Sequence, residues 1–209
     1  MTADATTSYT VRLLDASTWD EFAELVVRNN GIFGGCWCLG WHPEGKVRGL
    51  DRRAVKEELV RGGRAHAALV IDDDGLAQGW TQFGYAADLP GIKHRVQYEK
   101  EPPPRPDWRI GCMYVDTKHR GRGIARLALE GALEEIALEG GGLVEAISEV
   151  TDGRVAQGRF LFTGTVELFD DLDFERVRQV GKHAWIVNRQ VAPHADATSS
   201  TSNPSPFSR

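Results

Sequence analysis

The stretch from residue 108 to residue 138 narrows the fold more than any other. A strand-like run, Trp108-Arg-Ile-Gly-Cys-Met-Tyr-Val115, leads into Asp116-Thr-Lys-His-Arg-Gly-Arg-Gly123 and then into a long segment with helical apolar spacing. Glycines at 121 and 123 let the backbone approach a bulky anion closely. The helix that starts there adds unpaired amides and the positive end of its dipole. Lys118, Arg120 and Arg122 supply charge of the matching sign. The unit therefore predicts a strand, a diphosphate-binding turn and a helix, and the strand needs a sheet to join. Two familiar phosphate loops are excluded. The dinucleotide fingerprint fails because Arg126 stands at its third glycine, and no Gly-Lys-Ser/Thr ending is present for a Walker loop.

The rest of the chain supplies that sheet. Residues 9–14 alternate polar and apolar side chains and predict a first strand. Thr18-Trp-Asp-Glu21 predicts a capping box at the start of a helix that Asn29-Asn30-Gly31 stops. Residues 51–61 predict a second helix, closed by Gly62-Gly63. Residues 65–71 and 76–84 predict two strands joined by a hairpin turn at Asp72-Asp-Asp-Gly75. Residues 85–106, with Pro102-Pro-Pro-Arg-Pro106, read as one long irregular connection, a length usually tied to function or mobility. After the helix at 124–138 come a strand at 143–150, a short helix at 162–171 and closing strands at 174–180 and 184–189. The order β-α-α-β-β-β-α-β-α-β-β predicts an α/β fold with a single mixed β-sheet flanked by helices. Residues 1–8 and 192–209 lack core-forming side chains and predict disordered ends around one domain at 9–191.

Composition sets the outer bounds. At 209 residues, 41% apolar and 26% charged, the chain has enough material for a core without disulfides or metals. A formal net charge of −5 argues against a nucleic-acid binder. No run of apolar residues reaches the length of a membrane span, and the first residues carry no apolar signal core. Cys36, Cys38 and Cys112 are an odd and sparse set, which predicts a reduced, cytoplasmic protein.

Within the turn, Arg120, Gly123 and Ala125 fill the pattern Arg/Gln-x-x-Gly-x-Gly/Ala, and the segment resembles the pyrophosphate loop of the GNAT superfamily of acetyl-CoA-dependent N-acetyltransferases. The resemblance extends over residues 9–189, since the element order fits as well. It implies that acetyl-CoA is the co-substrate, with its pantetheine arm between two splayed strands. Met113, Tyr114 and Val115 would line the arm, and Arg120, Gly121, Arg122, Gly123, Ile124 and Ala125 would hold the pyrophosphate. It implies direct transfer of the acetyl group to a primary amine of a small molecule or peptide, with no metal. The acceptor would enter from the opposite side, past Trp37, Trp41 and Tyr85. A homodimer is left open. Two features depart from the pattern: Leu168-Phe-Asp-Asp-Leu-Asp-Phe174 has Phe169 where many members carry a proton-donating Tyr and Asp173 where they carry a Gly, and the strand at 108–115 lacks the Glu that is a frequent base.

The general base and acid are therefore open. Glu149, at a strand end beside the thioester, and His42, in the aromatic, glycine-rich segment 32–49, are candidates for the base. Tyr114 and Tyr85 are candidates for the acid. Each has a plainer reading, as a solvated strand end, a hydrogen-bonded loop histidine or packing tyrosines. Trp37 and Trp41 read equally as core or as an apolar wall for the acceptor. Cys36, Cys38 and His42 could ligate zinc, although Cys-x-Cys is tighter than the usual spacing. Two other classes remain open: a non-catalytic acyl-CoA-binding sensor and a regulator that binds another phosphate ligand through the same loop.

Overall fold

The computed structural model describes residues 8–32, 34–153 and 161–195. Of the ends predicted as disordered, 1–8 and 192–209, residues 1–7 and 196–209 lie outside the described residues. Among the described residues seven strands form one sheet in the order β1-β2-β3-β4-β5-β7-β6. They are β1 (Tyr9–Leu13), β2 (His66–Asp72), β3 (Ala77–Tyr85), β4 (Trp108–Val115), β5 (Gly142–Glu149), β6 (Glu175–Gln179) and β7 (Ala184–Val191). Every neighbouring pair is antiparallel except β4 and β5, so the sheet is mixed, as the element order requires.

Alternation along the strands builds apolar packing on both faces of the sheet. Leu69, Ile71, Trp80 and Cys112 face helices α1 (Trp19–Arg28) and α2 (Arg52–Arg61), which contribute Trp19, Phe22, Leu25, Leu59 and Val60. Ala68, Ile110, Met113 and Val144 face the other way, onto α4 (Ile124–Leu138) and α5 (Val166–Asp170). The glycine loop and its helix thus lie on one side of β4, and the aromatic 32–49 segment lies on the other. No described helix is long and apolar enough to cross a membrane.

Three local expectations change. The capping box does not form: Thr18 Oγ1 donates to the Leu13 carbonyl (2.7 Å) and accepts from Asp15 N (2.9 Å). Glu21 turns to Arg12 instead, at 3.0 Å, so a tight β1–α1 turn uses the hydroxyl before the helix can. The connection at 85–106 contains a helix, α3 (Arg95–Lys100), whose start is forced by His94 in the left-handed region at φ 56°. The last helix begins at Val166 rather than 162, because Gly164 has φ 75° and Thr165 caps the helix by accepting from Leu168 N (3.3 Å).

Candidate active site

The site begins with an irregularity in β4. Gly111 and Cys112 together oppose one residue of β3, Gln82, so β4 carries a bulge. That shift is why Ile110 and Met113, three residues apart, share a face. Gln82 fixes the bulge through its side chain. Its Oε1 accepts from Cys112 N (3.3 Å), and its Nε2 donates to the Cys38 carbonyl (3.1 Å) and to His42 Nε2 (2.9 Å). Only glycine fits at 111, since a Cβ there would lie 2.7 Å from Gln82 Oε1 and 3.2 Å from the Trp41 ring.

Just before the bulge β4 stops pairing with β5. The two strands share Trp108–Val144 and Arg109–Glu145 and then part. Met113 N–H faces the gap, because it donates to the Phe162 carbonyl at 2.7 Å. Alternation turns the Val115 backbone to the same gap and the Tyr114 backbone toward β3. A cavity of about 510 Å³ opens there, lined by Met113, Tyr114 and Val115 on one side. Leu161, Gly164, Thr165 and Leu168 form the facing wall.

The floor of the cavity runs into the glycine loop through Arg120, Gly121, Gly123, Ile124, Ala125 and Arg126. Gly121 and Gly123 have φ of 75° and 78°, values an L side chain resists. A Cβ at either would meet nothing within 4 Å, so the space above both is open. The first intrahelical bond of α4 is Leu127 N to Gly123 O, which leaves the amides of Ile124, Ala125 and Arg126 without helical partners. Free amides, a positive dipole end and Arg120 at a cavity mouth fit a diphosphate. Arg122 is not part of the lining; its guanidinium reaches Tyr9 Oη at 3.5 Å.

Asp116 moors this loop. It accepts from Lys118 N (3.0 Å), from Arg28 Nε (3.1 Å) and from Asn29 Nδ2 (3.2 Å). Burial pushes its carboxyl up, but these hydrogen bonds outweigh burial and hold it below the usual range. Arg28 also donates to Gln78 Oε1 (2.7 Å) and to the Ala77 carbonyl, so α1, β3 and the loop share one anchor.

The remaining candidates fall in three places. Glu149 stands at the end of β5 and pairs with Lys93, Nζ to Oε1 at 2.7 Å. Tyr114 packs toward α1, its ring 5.2 Å from that of Trp80, and burial followed by the nearby Asp116 raises its pKa. These two flank the splay. His42 does not: it is 1% exposed behind the bulge, and burial together with Lys56 lowers its pKa to about 3. Trp41 is core, and Trp37 is half-buried against Trp19, with centroids 6.1 Å apart. Tyr85 stacks on Trp108 at the opposite end of β4 and lines a separate cavity of about 540 Å³ with Asp88 and Arg105. Phe169 is fully buried, edge-on to Phe174 at 4.9 Å. Among the described residues no cluster of His, Cys, Asp and Glu is arranged to hold a metal, and all three cysteines are free.

Gln82, Asp116, Arg28 and Lys93 are the residues that the motifs did not single out. Gln82 carried a usable signal, a polar side chain between Trp80 and Phe83 near the middle of a strand. Lys93 carried none, since its partner lies 56 residues away.

The comparisons agree with this geometry. Residues 94–161 match the sequence model described as the Acetyltransferase (GNAT) family. Among curated proteins none matches in sequence. A solved structure described as histone acetyltransferase HPA2 and related acetyltransferase, from Corynebacterium glutamicum, is 15% identical, with a TM-score of 0.52 over 90% of this chain and 99% of its own. The GNAT family N-acetyltransferase YhbS from Escherichia coli, solved in complex with CoA, is 14% identical, with a TM-score of 0.50 over 92% of this chain and 86% of its own. A mosquito arylalkylamine N-acetyltransferase like 5b is 13% identical, with a TM-score of 0.53 over 88% of this chain and all 100% of its own. The chain has the GNAT acetyltransferase fold, and its segment 94–161, which holds β4, the glycine loop and α4, matches that family.

Proposed function

We propose that this protein is an N-acetyltransferase that moves the acetyl group of acetyl-CoA directly to a primary amine of a small molecule or peptide. The observation that carries the reading is the continuity of one cavity from the splay at Met113–Val115 to the glycine loop and the start of α4. A long cofactor with a diphosphate in its middle and a thioester at one end matches that shape. The Met113 carbonyl and the outward amide and carbonyl of Val115 hold the pantetheine arm as a neighbouring strand would, the Met113 amide being bonded to the Phe162 carbonyl. Arg120 and the amides of residues 123–126 hold the pyrophosphate.

Alternation sends Glu149 to the same face as Glu145 and Ile147, away from α4. An amine arriving on that face meets Glu149 as general base, while the cofactor comes from the α4 side. Tyr114 serves as the acid for the leaving thiolate; its raised pKa keeps it protonated near neutrality. His42, buried and neutral, positions the bulge through Gln82. The free thiols fit a reducing, cytoplasmic compartment. The solved relatives carry names with different acceptors, so the acceptor itself is sought by screening.

A second reading, a non-catalytic acyl-CoA sensor, is favoured by Phe169 in the usual Tyr position and by Lys93 on the carboxylate of Glu149. Calorimetric titration with acetyl-CoA, CoA and ATP, followed by thiol release with a panel of amines, separates the readings. Acetyl-CoA binding with amine-dependent thiol release supports the enzyme. Binding without release by any amine supports the sensor, and preference for ATP overturns both.

A further inference from the structure

Lys93 is in an unusual place for a loop lysine. The connection before α3 is pinned on both sides. Gly91 N donates to the Trp41 carbonyl at 2.9 Å, and Tyr98 Oη donates to Glu145 Oε2 at 2.8 Å. Between those two points the side chain of Lys93 reaches β5. Its Nζ lies 2.7 Å from Glu149 Oε1 and 5.1 Å from the centroid of the Phe162 ring. The Lys93 side chain is 18% exposed and that of Glu149 12%, so the pair is largely withdrawn from water. Phe162 is the residue whose carbonyl takes the Met113 N–H in the splay.

A carboxylate and an aromatic face together make a site for a primary ammonium. The site lies across the gap from Met113, next to Leu161 in the wall of the cavity proposed for the cofactor. An acceptor amine must stand there for Glu149 to take its proton, and the amine that stands there is the protein's own.

Resting on the acetyl-CoA reading above, we infer that Lys93 Nζ is itself an acceptor and that the protein acetylates this residue. Glu149 takes one proton from the ammonium. The neutral amine then attacks the thioester carbonyl carbon, a C–N bond forms and the C–S bond breaks. The second amine proton passes to the departing sulfur, so the products are acetyl-Lys93 and CoA thiol, and no oxidant or reductant is needed. The product has no charge at Nζ, so the ion pair with Glu149 and the cation over Phe162 both disappear. Self-acetylation therefore removes the lysine counter-ion of Glu149.

The test incubates the full chain with acetyl-CoA at neutral pH and follows each lysine by peptide mass mapping. Lys46, Lys100 and Lys182 are exposed and report the uncatalysed background. Lys93 gains one acetyl group faster than these three, at a rate per molecule that does not change on dilution. Glu149→Gln, which keeps the shape but takes no proton, slows Lys93 by roughly a hundredfold and leaves the background unchanged. Lys93→Arg removes the fast event. Acetyl-CoA binding with Lys93 modified no faster than the exposed lysines overturns the inference and leaves the proposed function standing. Failure to bind acetyl-CoA overturns both.

Discussion

Gly123 is held at φ 78° at the start of α4, above open space at the cavity mouth. A glutamate there adds bulk, backbone strain and a negative charge at the proposed phosphate position. Gly123→Glu is expected to weaken acetyl-CoA by more than tenfold, about 1.4 kcal/mol or more, by calorimetry. Unchanged affinity would move the cofactor elsewhere. Tyr114→Phe tests the acid: kcat is expected to fall by roughly a hundredfold with little change in the KM for acetyl-CoA. His42 makes a prediction of another kind. Its folded pKa is depressed from 6.5 to about 3 by burial and then by Lys56. Its contribution to stability is complete above pH 6.5. Below that the unfolded chain takes up a proton that the folded chain refuses, so stability falls until the folded group also titrates. At pH 5 the loss is about 2 kcal/mol. Denaturant midpoints at pH 7 and pH 5 are expected to differ more for the wild type than for His42→Gln. Equal differences would mean that His42 is not held neutral. His66, also lowered mainly by burial, adds a trend common to both proteins.

Among the elements, those legible in the sequence are the ones whose cause is local. The glycine loop, the hairpin at Asp72–Gly75 and the period of α4 each follow from neighbouring residues, and all three form as expected. Thr18 misled because a hydroxyl before a helix has two outlets, and the turn from Leu13 claimed it. Helix α3 was hidden for a related reason. Of Arg95–Lys100 it buries only Tyr98, so it shows no apolar stripe, and its fixed point is a tyrosine-to-Glu145 bond 47 residues away. The candidate site divides in the same way. The phosphate end lies in one continuous segment, whereas the acceptor end depends on Gln82, Lys93 and Phe162, which only the folded sheet brings to one place. Asp116 belongs to the first group, since a cap-type residue directly after β4 is a local signal. Asp116→Ala leaves Arg28, Asn29 and Lys118 N without their common acceptor. A loss of about 2–3 kcal/mol is expected in urea unfolding, with weaker acetyl-CoA binding as the loop loosens. Loss of stability with intact binding would show that the loop holds its shape alone.

For the whole molecule, β4 and β5 are the junction. On one side lie β1 to β4 and on the other β5 to β7, joined by two residue pairs. The join is reinforced by a buried cluster: Arg109 Nη2 meets Glu145 Oε1 at 3.0 Å, Arg109 Nη1 donates to the Leu89 carbonyl at 2.7 Å, and Tyr98 Oη meets Glu145 Oε2. Burial raises the pKa of Glu145 against the pull of Arg109 and Tyr98. Glu145→Gln leaves the Arg109 charge buried without its counter-ion. A cost of about 3–5 kcal/mol is expected in chemical unfolding, far above that of a surface carboxylate. A cost near zero would mean that the two halves are held by packing alone.

The short pairing of β4 with β5 has a consequence for how the protein would behave in a cell. A sheet that stops bonding halfway along one junction has an open seam, and a linear ligand that bonds to one lip and packs on the other closes it. Whatever closes the seam adds to the lifetime of the folded chain by mass action, about 2.7 kcal/mol at a hundred times its dissociation constant. With acetyl-CoA as the proposed ligand, the amount of intact protein would follow its supply, independently of how fast any amine is consumed.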